Sequence, residues 1–258
     1  MTIAVADGAP PGPTISVITV CFQSERTIGH TIDSVNAQSY PHIEHVFIDG
    51  ASRDNTLGVI EARSQRLSRG LSEPDEGIYD ALNKGLRLAT GEVVGFLHAD
   101  DFFAHPDVLA HVAAQFADPA VGGVYGDLQY VSQSDPTHII RHWKAMPFSR
   151  SRLRLGWMPP HPTLYVRKPW YDRIGGFDTG YRIAADYFSI LQLFTHPEFK
   201  TSYLPEVLVK MRAGGVSNRS LRNIVLKSRE DLHALRRSQA GGLATLATKN
   251  LRKLGQFF

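Results

Sequence analysis

The sequence has little of what most quickly assigns a protein to a class. Its 258 residues hold one cysteine, Cys21. That excludes an intramolecular disulfide framework and any cysteine-type metal cluster, and points to a cytoplasmic chain. No stretch approaches the roughly 18 apolar residues that a membrane-spanning helix needs. Residues 1–13 carry neither the basic nor the apolar part of a signal peptide and read as a flexible leader. No Walker A segment occurs, and no Gly-x-Gly-x-x-Gly follows the first candidate strand, so the common phosphate-binding fingerprints are missing. Basic charge is also scarce over most of the chain. From Arg212 onward there are ten Lys or Arg against two acids, Glu230 and Asp231, yet the net charge is only +3. The body is therefore acidic and the C-terminal segment basic, which suits a tail that meets an anionic surface or one that packs on the body. Nucleic-acid binding is disfavoured, because the tail carries no recognisable motif.

What remains is an ordinary globular composition, with 43% hydrophobic and 21% charged residues. Short β-rich runs at Thr14 to Val20, Ile43 to Ile48, Val93 to Leu97 and Val121 to Val131 alternate with amphipathic stretches. Those stretches are Glu25 to Gln38, one carrying Leu57, Ile60 and Leu67, Glu73 to Ala89, and Pro106 to Phe116. Alternation of this kind predicts an α/β fold with a mainly parallel sheet. Further strand and helix patterns follow at Tyr203 to Met211 and from Ala184 to Phe194.

The run Glu92-Val-Val-Gly-Phe-Leu-His-Ala-Asp-Asp101 organises the chain. An apolar strand buried on both faces cannot hold two carboxylates, so Asp100 and Asp101 lie beyond its C-terminal end, where open parallel sheets bind ligands. Paired carboxylates there suit a divalent cation that holds phosphates. Asp101 is instead expected to cap the helix near Pro106. Other strands also end in polar groups, Gln23 with Glu25 nearby and Asp49, and right-handed crossovers bring these ends to one edge. Together they describe a pocket for a nucleotide and its diphosphate. Asp80 and Lys84 lie one helical turn apart and either face that pocket or form an exposed ion pair. Asp186, in the first turn of its helix, is a cap or a site residue.

Four ordered motifs carry a resemblance. They are Ser16 to Phe22, Ile48-Asp-Gly-Ala-Ser-Arg-Asp-Asn-Thr56, Ser72-Glu-Pro-Asp-Glu-Gly-Ile-Tyr-Asp-Ala-Leu-Asn-Lys-Gly85 and Leu97-His-Ala-Asp-Asp101. With Gly175-Gly-Phe-Asp178, Asp186 and Gly214-Gly-Val-Ser217, the pattern resembles family 2 glycosyltransferases of the GT-A fold, in the bacterial exopolysaccharide and O-antigen branch. The resemblance implies an α/β/α sandwich over residues 14–217, with a nucleotide-sugar half at 14–131, an acceptor half at 132–217 and a basic amphipathic helical tail at 218–258. It implies inverting transfer from a nucleotide-sugar to a hydroxyl of a lipid-linked saccharide, with Mn²⁺ or Mg²⁺, at the inner face of the cytoplasmic membrane. Asp49 stands where the family recognises the base, and Val20, Phe22 and Glu25 lie in the segment lining the nucleotide. Asp80 and Lys84 fall beside the donor. His98-Ala-Asp100 occupies the aspartate-x-aspartate position, which leaves Asp100 as metal ligand and His98 as a second ligand or a ribose contact. Asp186 stands where the family has its general base, although the acid usually before it is Ala185 here. His161 and Arg212 are candidate acceptor or diphosphate contacts. A sugar-phosphate nucleotidyltransferase would be expected to carry a glycine-rich loop after the first strand, and Cys21 to Arg26 has no glycine. A non-catalytic nucleotide- or carbohydrate-binding protein is the remaining alternative.

Overall fold

The β-branched runs of the sequence are buried on both sides of one nine-stranded sheet in a computed structural model that describes residues 12–214 and 221–254. Most of the expected leader, residues 215–217 of the late loop, and Phe257 of the tail lie outside the described residues. Strands β1 (Ile15–Cys21), β2 (Ile43–Asp49), β3 (Leu67–Ser72) and β4 (Val93–Phe96) run parallel in the order β3-β2-β1-β4. Side chains alternate between two cores, as the period of two along a strand requires. Ile18, Val20, Val46 and Ile48 enter one core with helix α3 (Ile78–Leu88). Ile15 and Val17, with Cys21 and Phe47, face the opposite side, under α1 (Ile28–Asn36), α2 (Thr56–Arg63) and α4 (Val108–Gln115). Gly85 lets α3 lie directly on β1, since a Cβ there would overlap the Ile18 side chain.

The second half breaks the parallel pattern. Strand β8 (Tyr165–Arg167) lies antiparallel between β4 and β6 (Val121–Val131), and β9 (Lys200–Arg212) runs parallel to β6. The short β5 (Phe102–Phe103) and β7 (Ile139–Trp143) pair antiparallel with β9 and β6. The sheet is thus parallel through four strands and mixed beyond them.

Helices α5 (Arg150–Arg154), α6 (Lys168–Ile174), α7 (Ala185–Thr195), α8 (Leu221–Arg237) and α9 (Leu243–Leu254) complete the chain. Ala234 and Leu235 of α8 are buried in the same core as α7. A buried ion pair, Lys249 to Asp231 at 2.8 Å, joins α9 to α8. Helices α8 and α9 of the basic segment therefore pack on the body.

Three expectations change. Leu67 does not extend a helix but opens β3, an edge strand whose Arg69 and Gly70 dilute its apolar pattern. Helix α3 starts at Ile78 rather than near Glu73, because Gly77 at its N-cap has φ +127°, a backbone conformation that excludes earlier helical continuation. Asp101 caps nothing: the N-cap of α4 is Asp107, and the Asp101 side chain is buried near Arg212 instead.

Candidate active site

The order β3-β2-β1-β4 reverses its direction of growth between β1 and β4, so a crevice opens outside the C-terminal ends of these two strands. Chain direction alone then brings the residues after Cys21, Asp49, Ser72 and Phe96 to one edge.

At the β1 side, Val20 is buried in the strand, whereas Phe22 just beyond it is 60% exposed. A Cβ on Gly50 would lie 3.0 Å from Asp75 Oδ2 and 3.3 Å from the Phe22 ring, so glycine keeps open a corner walled by an aromatic face and a carboxylate. Asp49 is buried beneath it. Its Oδ2 accepts from Ser52 N at 2.9 Å and from the Ser72 hydroxyl at 2.6 Å, which ties the loop after β2 to the end of β3. Glu25 accepts from Asn55 N at 2.9 Å and so closes the first turn of α2.

Lys84 is not on an exposed face. Its ammonium is buried and bridges Asp75 at 2.6 Å, Glu73 at 2.9 Å and Asp80 at 3.2 Å, and it donates to Pro74 O at 2.9 Å. Its hydrogen bond to Asp75, then that to Glu73, push its pKa upward. Lys84 thus orders the whole Glu73 to Asp80 loop, while Asp80 also accepts from Glu76 N at 3.2 Å. Asp75, in the same motif, was assigned no role from the sequence, yet it forms one wall of the corner.

The β4 side ends in a tight turn in which Asp101 N donates to His98 O at 3.0 Å. Thr31 from α1 donates to Asp101 O at 2.7 Å, and the Arg212 guanidinium donates to Asp100 O. Arg212 also meets His30 Nδ1 and lies over the Phe102 ring, so its head group is committed to holding this turn. Asp100 is half-buried at the turn's open side. Both Asp101 oxygens are buried without a hydrogen-bond partner, and burial, reinforced by the Asp100 charge, raises the Asp101 pKa well above the carboxylate range. A raised pKa favours the neutral acid, and the less buried Asp100 is the member of the pair placed to meet a ligand.

Across the crevice stand His98, His161 and Asp186. Burial lowers the His98 pKa, while the charges of Asp100 and Asp186 both oppose it. His161 stacks on Phe96 at 5.3 Å, 6.4 Å from the His98 ring. Burial lowers its pKa to about 4 against the pull of Asp186, so it is a neutral imidazole, and its Nε2 is buried without a partner. Asp186, at the start of α7, accepts from the Tyr79 hydroxyl at 3.1 Å and does not cap its own helix. Tyr79 also donates to Ile183 O at 2.6 Å. The Glu-Gly-Ile-Tyr segment was the sequence signal that could have named it.

Hard oxygen donors at an open turn, facing a second carboxylate and two neutral imidazoles, fit a divalent cation of the Mg²⁺ or Mn²⁺ type. Among the described residues, the three whose ligand-type atoms all lie within 4.8 Å of one another are elsewhere: His105, His111 and Glu206. There His111 is already paired to Glu206 at 2.9 Å, and His105 Nδ1 accepts from Asp107 N.

Comparison with known proteins agrees with this geometry. Residues 16–177 match the family described as Glycosyl transferase family 2. An uncharacterized glycosyltransferase of Mycobacterium tuberculosis is 34% identical over 182 residues, 70% of this chain and 68% of its own. A PGL/p-HBAD biosynthesis glycosyltransferase of Mycobacterium bovis is 30% identical over 211 residues, 80% of each chain. Among solved structures, the mannosyltransferase PcManGT from Pyrobaculum calidifontis, in complex with GDP-Man and Mn²⁺, superposes with a TM-score of 0.65 at 22% identity, over 95% of this chain and 71% of its own. S. aureus TarS 1–349 in complex with UDP-GlcNAc gives 0.64 at 19% identity, over 87% and 65%. These two show a shared fold. The family match spans well over half of the sequence and runs through the strand ends at Phe22, Asp49 and Asp100 and through Asp80, stopping short of Asp186, and the chain belongs to glycosyl transferase family 2 as a glycosyltransferase.

Proposed function

We propose that the chain is an inverting, metal-dependent transferase that moves a sugar from a nucleoside diphosphate-sugar to a hydroxyl of a lipid-linked saccharide, in surface polysaccharide assembly. The observation that carries this reading is that the turn after β4, with His98 and Asp100, and the start of α7, with Asp186, meet at the crevice outside β1 and β4, where His161 lies 6.4 Å from His98 and both carboxylate charges reach the His98 imidazole. Two carboxylates on opposite walls of one crevice allow a division of labour. The exposed Phe22 ring receives the base, with Asp49 and Asp75 behind it. Asp100, with His98 beside it, holds the cation and the diphosphate. A divalent cation there would offset the negative charge that develops on the diphosphate as it departs.

Asp186 takes the proton from the acceptor hydroxyl as that oxygen attacks the anomeric carbon from the face opposite the diphosphate. A new C–O bond forms, the bond to the diphosphate breaks, and the anomeric configuration inverts. Tyr79, through its hydrogen bond to Asp186, fixes the carboxylate's direction. The neutral His161, with its free Nε2, offers a hydrogen bond to acceptor or diphosphate. Arg212 supports the Asp100 turn from below. That two structural neighbours hold different nucleotides, GDP-Man and UDP-GlcNAc, leaves both open as donors.

Contact with a membrane surface is part of the same proposal. No described helix is long and apolar enough to cross a bilayer. Exposed Leu155 follows the basic α5, and exposed Leu243 and Leu251 lie on α9, which packs on the turn at Gly156. Apolar side chains beside basic ones suit an anionic lipid surface.

The test is nucleoside diphosphate release from UDP-, GDP- and dTDP-sugars with Mn²⁺ or Mg²⁺ and lipid-linked acceptor, comparing wild type with Asp100→Asn and Asp186→Asn. Metal-dependent, acceptor-dependent release that both variants lose supports the assignment. Release that is indifferent to chelator, or to both substitutions, refutes it.

A further inference from the structure

The first turn of any helix exposes amide groups with no partner inside the helix. At α7 the N-cap is Ala184, which has no side-chain oxygen to offer, and Asp186 turns towards Tyr79 instead. An acceptor from 46 to 48 residues away takes the N-cap amide and the two amides before it. Glu230 on α8 accepts from Arg182 N at 3.0 Å through Oε1, and from Ile183 N at 2.8 Å and Ala184 N at 2.9 Å through Oε2. The Ile183 carbonyl is gripped from the other side by Tyr79. The peptide that delivers Asp186 to the crevice is therefore clamped between α3 and α8.

Helix α8 is itself fixed by contacts in the turns that follow Glu230. The Tyr181 hydroxyl meets His233 at 2.7 Å and Arg237 pairs with Asp178. The adjacent Asp231 takes the buried Lys249 of α9, whose ammonium also lies 3.1 Å from the centroid of the Tyr187 ring of α7. The segment from Asp178 to Tyr187 is thus enclosed by side chains of α8 and α9.

We propose that Glu230 is a positioning residue for sugar transfer: by anchoring the α7 N-cap and the two residues before it from α8, it leaves the Asp186 carboxylate free for the acceptor hydroxyl and sets its direction. This rests on the assignment of Asp186 as the base. Both Glu230 oxygens are engaged by main-chain amides of the segment that delivers Asp186, so its loss acts through Asp186. Displacing a reacting group by an ångström costs roughly 100-fold in rate.

The experiment measures kcat, donor KM and donor dissociation constant for wild type, Glu230→Ala, Glu230→Gln, Asp186→Asn and the Glu230→Ala/Asp186→Asn double variant. Hydrogen exchange at the amides of residues 182–184 accompanies it, all below the melting temperature of each variant. Glu230→Ala is expected to lower kcat roughly 100-fold with donor KM and affinity unchanged, and to lose exchange protection at those amides. Glu230→Gln, which keeps an acceptor oxygen, recovers about tenfold of that loss. The double variant is no slower than Asp186→Asn, because residues acting through one group are not additive. Should Glu230→Ala keep its kcat while Asp186→Asn is inactive, the proposal fails and the catalytic assignment stands. It fails equally if the two losses multiply in the double variant, or if donor affinity falls along with kcat. Wild-type turnover in Asp186→Asn overturns the base assignment itself, and the positioning role with it.

Discussion

Two buried carboxyl groups at opposite ends of the parallel strands, Glu44 and Asp101, are treated in opposite ways. At the N-terminal end, Glu44 is buried and fully engaged. It takes a hydrogen bond from the Ser16 hydroxyl, from Thr90 N and Oγ1 at 2.8 Å each, and from Gly91 N at 3.3 Å, with Arg69 at 3.4 Å. At the C-terminal end, both Asp101 oxygens and His161 Nε2 are buried with nothing to bond. Burial is shared, and satisfaction is not. A satisfied network holds the sheet together, whereas unsatisfied polar atoms carry a free-energy cost that a ligand can relieve.

The contrast can be broken from either end. The largest effect is expected at the crevice: Asp186→Asn should lower kcat by roughly 100- to 10,000-fold, the range of a positioned general base, with an unchanged melting curve. Asp100→Asn should cost about 100- to 1,000-fold in kcat and abolish the response to added Mn²⁺, read by titrating metal against turnover. At the opposite end, Glu44→Ala should leave kcat alone and remove about 2–3 kcal/mol of stability in urea unfolding, because it strands the Ser16 hydroxyl and the two Thr90 donors.

The same carboxylate sharpens the comparison through pH. Burial alone would raise the Glu44 pKa, but the hydrogen bonds from Ser16, Thr90 and Gly91 outweigh it and hold it below its ordinary 4.5. A depressed carboxylate stabilises the fold above its unfolded pKa and loses that contribution as pH falls through the folded value. Urea midpoints of wild type should therefore decline on acidification below pH 4.5. Those of Glu44→Gln should decline less. The smallest effect belongs to Phe22→Ala, which should raise donor KM about fivefold through lost stacking, with stability changed by less than about 0.5 kcal/mol.

How far the sequence discloses this molecule depends on how local each signal is. Strands β1, β2, β4 and β6 follow from runs of buried β-branched residues, and the β6 limits coincide with the expected Val121 to Val131. β3 escaped because an edge strand containing Arg69 and Gly70 lacks that pattern. β5 and β7 escaped because two and five residues paired to distant strands leave no periodicity to read. The crevice divides in the same way. Phe22, Asp49 and Asp100 end recognisable strands, so chain direction alone groups them. Lys84 was legible as a partner of Asp80 but not as the buried centre of three carboxylates, since Glu73 and Asp75 reach it only once the preceding loop folds back. Glu230 had no signal at all: an acid in a basic amphipathic stretch looks solvated until α8 docks.

That docking imposes an order in time. The residues of β1 to β4 and of the turn at Asp100 all leave the ribosome within the first hundred or so. The clamp on Ala184 waits for a carboxylate 46 residues further along. On the proposed assignment, the groups that would meet the donor are therefore synthesised well before the one that seats the base. The chain can act as a transferase only after α8 has been made and docked.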